Sequence, residues 1–204
     1  MKRLLFLLVA VLVAVSVYWF MLRKKESGPR APKQAAIVLK KHSETFNKSV
    51  DKLVNDYLAI KNAFVEGDTA AAKKNTEAFI SALDSIPLDE LKKDTASIFE
   101  TAQASVNDIR SNAQSLLKQT NITEMRMDFS MVTEMMYPGF FKSINYEGEK
   151  LYLQNCPMAF GDDKAANWIS NSDEVVNPYL GKNDPKHKAT MLHCGEVKDS
   201  IFAK

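Results

Sequence analysis

Two short segments near the C-terminus hold the residues of this chain that are best suited to chemistry. Cys156 is followed two positions later by Met158. Cys194 is preceded by His193 and Met191. Thiolate and thioether sulfurs together form a soft donor set that suits Cu(I) or Ag(I) better than hard cations. The predicted ligands of such an ion are Cys156, Met158, Met191, His193 and Cys194, with the imidazole as an optional third donor.

The same two cysteines can also form a disulfide with each other. That bond would close a loop of about 39 residues and contribute about 4 kcal/mol of stability in the chain-entropy model. Zinc is disfavoured, because no two cysteines have the CxxC spacing that is typical of its structural sites. A disulfide and a metal site exclude each other at any moment, and the sequence leaves both interpretations open.

Patterns for enzyme chemistry and for nucleic-acid binding are absent from the sequence. There is no phosphate-binding glycine loop, no HExxH and no CxxCH, and His193 beside Cys194 lacks a third group to orient it as a base. Residues 1–33 carry seven of the 27 basic side chains and one of the 25 acidic ones, so the remainder is mildly acidic. We therefore expect a protein that is not an enzyme and does not bind nucleic acid.

An apolar run at residues 4–22 predicts a membrane-spanning helix. Nineteen residues at about 1.5 Å each span most of a bilayer core, and basic residues flank both ends. Tyr18 and Trp19 lie where interfacial aromatic side chains are common. No small-residue cleavage pattern follows, which favours an uncleaved signal anchor over a cleaved signal peptide. Since a disulfide and soft-metal binding both fit an extracytoplasmic compartment, we place the bulk of the chain there.

Four amphipathic helices are predicted to follow a linker at residues 23–35. Apolar side chains spaced three and four apart run from Phe46 to Phe64, and Gly67 ends that helix. Asp68 is predicted to cap a second helix, and a third is predicted to start at Pro87. Asn121 with Glu124 predicts a capping box for the fourth, and Pro138-Gly139 is predicted to end or kink it. Short connections between such helices favour an antiparallel four-helix bundle.

The predicted fold is mainly α, with the transmembrane helix, the bundle and a small loop-rich C-terminal module with short strands. The predicted boundaries are 1–22 for the anchor, 23–35 for the linker, 36–148 for the bundle and 149–204 for the module. Turn-forming residues dominate the last segment, which is too small to bury a large core alone. We expect it to need a disulfide, a metal or contact with the bundle. Trp168 and Tyr179 are expected to form its small core.

Four ordered phrases in the C-terminal segment carry a resemblance to a known family. They are Cys156–Ala159, Trp168–Ser170, Asn177–Gly181 and Met191–Val197. Together they resemble the domain of unknown function 3347 family, with weaker similarity over the helices, so that residues 38–203 are covered. That family occurs in bacterial envelope proteins and is also fused to periplasmic adaptor subunits of heavy-metal efflux systems.

The resemblance implies a single-pass inner-membrane protein with its bulk in the periplasm and heavy-metal efflux components as partners. With the soft donor set, it leads us to expect copper or silver binding for resistance or delivery. The alternative is a disulfide-linked structural or interaction module of an envelope complex. Two departures from the pattern stand out: nine residues at 182–190 where few are expected, and His193 in place of a small polar residue.

Overall fold

The computed structural model describes residues 12, 15, 16, 18, 41–94 and 96–201. The chain divides into two compact units, Met1–Ile37 and Val38–Lys204. In the first unit Leu12, Val15, Ser16 and Tyr18 are helical and exposed. The rest of the predicted span at residues 4–22, and the linker at 23–35, lie outside the described residues. Among the helices in the described part of the chain, none is long and apolar enough to cross a bilayer.

The second unit is mainly helical, as the sequence predicts. Its longer helices are α1 (Glu44–Glu66), α2 (Thr69–Asp84), α3 (Ala96–Lys118) and α4 (Ile122–Glu134). The predicted end of the first helix is confirmed, because Gly67 adopts the left-handed conformation (φ 72°) that closes a helix. The predicted cap of the second is also confirmed, because Asp68 accepts a hydrogen bond from the Ala71 N–H.

The third helix begins later than predicted. Pro87 is followed by a 3₁₀ helix at Leu88–Lys93, and α3 starts only at Ala96. Leu88 and Leu91 are both buried, which fits the three-residue repeat of a 3₁₀ helix. The same turn aims Glu90 at the start of α1, where the carboxylate accepts hydrogen bonds from the Ser43 backbone N–H and hydroxyl.

Glu90 is the centre of a small polar cluster. Its carboxylate also accepts a hydrogen bond of 2.7 Å from Lys93, and His42 lies 3.8 Å away. Burial by itself raises the pKa of Glu90, but the hydrogen bonds from Lys93 and Ser43 outweigh it and lower that pKa to about 2. The cluster therefore holds the start of α1 against the 3₁₀ helix.

Helix α4 ends at a kink that the sequence predicts at Pro138-Gly139. Tyr137 is extended (φ −134°, ψ 129°), and its peptide bond to Pro138 is cis. One helical turn, Phe141–Ser143, follows before the chain enters the sheet. At the other end of α4, Asn121 caps the helix by accepting from the Thr123 N–H rather than from Glu124.

The C-terminal segment forms a three-stranded antiparallel sheet with the order β2-β1-β3. The strands are β1 (Leu151–Cys156), β2 (Ala166–Ser170) and β3 (Glu196–Ile201). The short strands predicted for the C-terminal module are thereby confirmed. Gln154 lies opposite Trp168 in β2 and opposite Val197 in β3, beside a register shift between Leu153 and Gln154.

The sheet packs on the helices and shares one core with them. The Tyr57 hydroxyl of α1 accepts from the Ile169 N–H of β2 at 3.1 Å and lies 2.6 Å from the Thr133 hydroxyl of α4. Trp168 and Tyr179 are fully buried in this core, where the Tyr179 ring centroid lies 6.2 Å from that of Phe129. The segment therefore gains its apolar burial by contact with the helices.

Candidate functional site

The structure brings the two cysteines together. Cys156 is the last residue of β1, and Cys194 lies in the loop that leads into β3. Their sulfur atoms are 3.0 Å apart, with both side chains as free thiols. Cys156 is completely buried and Cys194 is half-buried. This is a pre-formed thiol pair between residues that lie 38 positions apart in sequence.

The sulfur–sulfur distance limits what the pair can hold. A disulfide bond measures about 2.05 Å, whereas a divalent ion such as zinc lies about 2.3 Å from each thiolate. An ion held directly between two such sulfurs would need them up to about 4.6 Å apart. At 3.0 Å the pair is closer to the bonded arrangement than to one that encloses an ion.

Asn177 fixes the position of Cys194 from the neighbouring loop. Its side-chain amide donates to the Cys194 carbonyl at 2.8 Å, and its own N–H donates to the Leu192 carbonyl at 2.8 Å. Its side-chain oxygen accepts from the N–H groups of Tyr179 and Leu180. Asn177 is fully buried, so these bonds are made away from solvent, where an unpaired amide would be costly.

Gly195 allows the loop to approach β1 closely. It has φ 142°, and a Cβ there would lie 2.5 Å from the Asn155 carbonyl oxygen and 3.0 Å from the Trp168 ring. Only glycine fits both the backbone angle and the space. The glycine that follows Cys194 therefore brings this thiol against the end of β1.

The environment of the pair favours the neutral thiol at Cys194. Burial raises the pKa of the Cys194 thiol to about 11, and the hydrogen bond and charge of Cys156 act in the same direction. A raised pKa makes the thiolate scarce near neutral pH, and the thiolate is both the nucleophile and the metal ligand. Cys194 is thus not a fast-reacting thiol.

The other predicted ligands are placed differently. Met191 shares a turn with Cys194, whose N–H donates to the Met191 carbonyl at 3.0 Å, and it packs against the core that contains Cys156. His193 is exposed, and its Nδ1 lies 2.7 Å from the Val175 carbonyl. Met158 is exposed and lines a separate cleft. Among the described residues, no group of three or more His, Cys, Asp and Glu side chains could hold a metal ion.

Two residues that matter for this region were not among the predicted site residues. The turn at Asn177-Pro178 is visible in the sequence, but the bond from Asn177 to Cys194 joins residues 17 positions apart and has no local signal. Arg126 is buried on α4 and caps the end of α1 by donating to the Phe64 carbonyl at 2.8 Å. The sequence shows only an arginine in an amphipathic helix, which does not indicate that its side chain bonds to the end of another helix.

Comparison with known proteins gives one family match. A family model described as a protein of unknown function, DUF3347, matches residues 53–145. No curated protein and no solved structure matches the chain. The match confirms the predicted resemblance to that family over most of α1, over α2 to α4 and over the turn that follows, and it does not include the C-terminal phrases. The matched range ends before Cys156, so it carries no information about the cysteine pair.

Proposed function

We propose that the chain, which the DUF3347 family model matches over residues 53–145, is an envelope-anchored interaction module stabilised by a Cys156–Cys194 disulfide. In this proposal the helices and the sheet form one body that binds a partner in the envelope. The disulfide ties the loop before β3 to the end of β1. The module performs no catalysis.

The observation that carries the proposal is the sulfur–sulfur distance of 3.0 Å. A shift of about 1 Å closes the bond, and the bonds from Asn177 already hold Cys194 in place. Complete burial of Cys156 protects the bond from reductants. Disulfides persist in oxidising compartments such as the periplasm.

The proposed location follows from the predicted anchor. Residues 4–22 would hold the chain in the inner membrane as a single-pass signal anchor, and the unit Val38–Lys204 would lie in the periplasm. We also propose that α1 to α4 form the antiparallel bundle that the sequence predicts. Short connections at residues 67–68 and 119–121 support that arrangement.

Soft-metal binding is the second candidate, and the position of Met191 favours it. Its thioether belongs to the same turn as Cys194, so two thiolates and one thioether are available within one region. Cu(I) or Ag(I) would be held by Cys156 and Cys194 in their reduced form. The half-buried loop would have to move outward to separate the sulfurs. Heavy-metal efflux components would be the partners of a protein with that role.

One experiment separates the two candidates. The full chain is isolated in detergent under anaerobic conditions, and its free thiols are counted before and after reduction. The disulfide proposal predicts no free thiols before reduction and two after it. The reduced chain is then titrated with Cu(I) against a competing chelator, together with Cys156→Ser.

The matched controls are Met191→Leu and Met158→Leu. A metal site in the loop loses Cu(I) affinity with Met191→Leu and keeps it with Met158→Leu, because only Met191 shares the turn of Cys194. Two free thiols in the chain as isolated, with Cu(I) retained against the chelator, would overturn the disulfide proposal in favour of the metal. Absence of Cu(I) competition by the reduced chain would exclude the second candidate.

A further inference from the structure

A cleft of about 280 Å³ lies between the first part of α4, the turn after β1 and the loop after β2, and the cysteines do not line it. Its walls combine apolar and charged side chains. The apolar lining is formed by Met158, Ala159, Phe160, Tyr179 and Leu180. The polar lining includes Thr123, Arg126, Asp162, Asp184, Lys186 and His187. Small-molecule sites usually combine apolar walls with a few convergent polar groups, and in this cleft polar side chains form a large share of the lining.

Arg126 is the buried charge of this cleft. Only 3% of its surface is exposed. One terminal nitrogen donates to the Phe64 carbonyl at 2.8 Å, but the buried Nε–H has no acceptor among the described residues. Burial lowers the pKa of Arg126, and the nearby charge of Asp184 opposes that effect. A guanidinium with an unused, desolvated donor is a strong site for an anionic oxygen.

The loop at residues 182–190 builds one wall of the cleft and is firmly attached. The Lys182 N–H donates to the Val65 carbonyl at 2.7 Å, and the Asn183 side chain donates to the Glu66 carbonyl at 2.7 Å. One oxygen of Asp184 accepts from the N–H groups of Lys186 and His187. The wall is therefore held in place by main-chain contacts to the end of α1.

We propose that this cleft binds a small organic carboxylate with an apolar body. One carboxylate oxygen pairs with the charged guanidinium of Arg126, which lines the cleft, and Lys186 adds positive charge at the rim. The apolar body packs on Phe160 and Tyr179. Cation chelation does not fit the cleft, because one oxygen of Asp184 is occupied within its own loop. The proposal is independent of the state of Cys156 and Cys194.

The test is an NMR titration of the full, ¹⁵N-labelled chain in detergent with phenylacetate as the probe. The readout is the Arg126 side-chain Nε–H signal, which should shift when an anion pairs with the same guanidinium. We expect saturation with a Kd on the order of 1 mM for such a minimal probe. Phenylacetamide, which has the same body without the charge, should leave that signal in place.

Two variants locate the binding site. Arg126→Gln should abolish the response, but the loss of a buried bond to Phe64 can also unfold the chain. Thr123→Trp is therefore the second variant, because this exposed residue at the cleft can fill it without entering the core. It should weaken phenylacetate binding at least about tenfold, equivalent to about 1.4 kcal/mol. Thr101→Trp, on the exposed surface of α3 and outside the cleft lining, is the matched control and should bind as the wild type does.

Three results would overturn the proposal. The first is a Nε–H signal that stays fixed up to about 20 mM phenylacetate, far above the expected Kd. The second is an equal response to phenylacetamide, which would show that the charge is not recognised. The third is unchanged binding by Thr123→Trp, which would place the probe elsewhere on the surface.

Discussion

Reduction of the Cys156–Cys194 bond should lower the free energy of unfolding by about 4 kcal/mol. The two residues are 38 positions apart. For a loop of that length the chain-entropy model gives about 13 cal/mol/K, which is about 4 kcal/mol at 25 °C. Small domains are typically stable by about 5–15 kcal/mol, so this is a large share of the total. The reduced chain should nevertheless remain folded, because the contacts of Tyr57 and Tyr179 with the sheet and helices do not depend on the bond.

The assay is urea unfolding of the full chain in detergent, with and without reductant, followed by the fluorescence of buried Trp168. The oxidised chain should unfold at the higher urea concentration. The double variant Cys156→Ala, Cys194→Ala is the control, and reductant should not change its midpoint. Equal midpoints for the oxidised and reduced wild type would refute the reasoning, since they would mean that the bond does not form or does not restrict the unfolded chain.

Further substitutions test the elements around the pair. Gly195→Ala should lower the free energy of unfolding by more than about 2 kcal/mol, because the new Cβ would meet a backbone oxygen. Gly139→Ala, the control, should lower it by less than about 1 kcal/mol. Equal urea midpoints for the two variants would contradict this. Tyr57→Phe should lower the free energy of unfolding by about 1–3 kcal/mol, because the buried Ile169 N–H loses its hydrogen-bond acceptor. An unchanged urea midpoint would contradict that. The pKa of Glu90 is lowered from 4.5 to about 2, so its stabilisation is present above pH 4.5 and is lost as the pH falls towards 2. Glu90→Gln should flatten the dependence of Tm on pH in that window, and a profile like that of the wild type would refute the assignment.

The helices were predictable where their signals are local. Each of these signals depends on residues only a few positions apart. They are the apolar spacing from Phe46 to Phe64, the glycine at the end of α1 and the aspartate before α2. The start of α3 was not predictable from Pro87 alone. The helix starts later than predicted, after a 3₁₀ helix in which Glu90 bonds to Ser43. These two residues lie 47 positions apart, so the contact produces no periodic pattern in the sequence.

The candidate site was predictable only in part for the same reason. Two lone cysteines in a loop-rich segment indicated a pair, and the structure places them in contact. The position of Met158 could not be predicted, because the chain turns directly after β1 and this side chain lines the cleft with Arg126. Neither the bond from Asn177 to Cys194 nor the cleft itself could be predicted, since both depend on how the loops after β2 pack.

The most direct test of the account is a peptide map of the chain taken from membranes with its thiols alkylated at once. Tryptic cleavage without reduction should yield residues 151–164 joined to residues 189–198, because these peptides contain Cys156 and Cys194. Reduction should separate them and expose both thiols. Recovery of the two peptides as separate, alkylated species before reduction would contradict the disulfide.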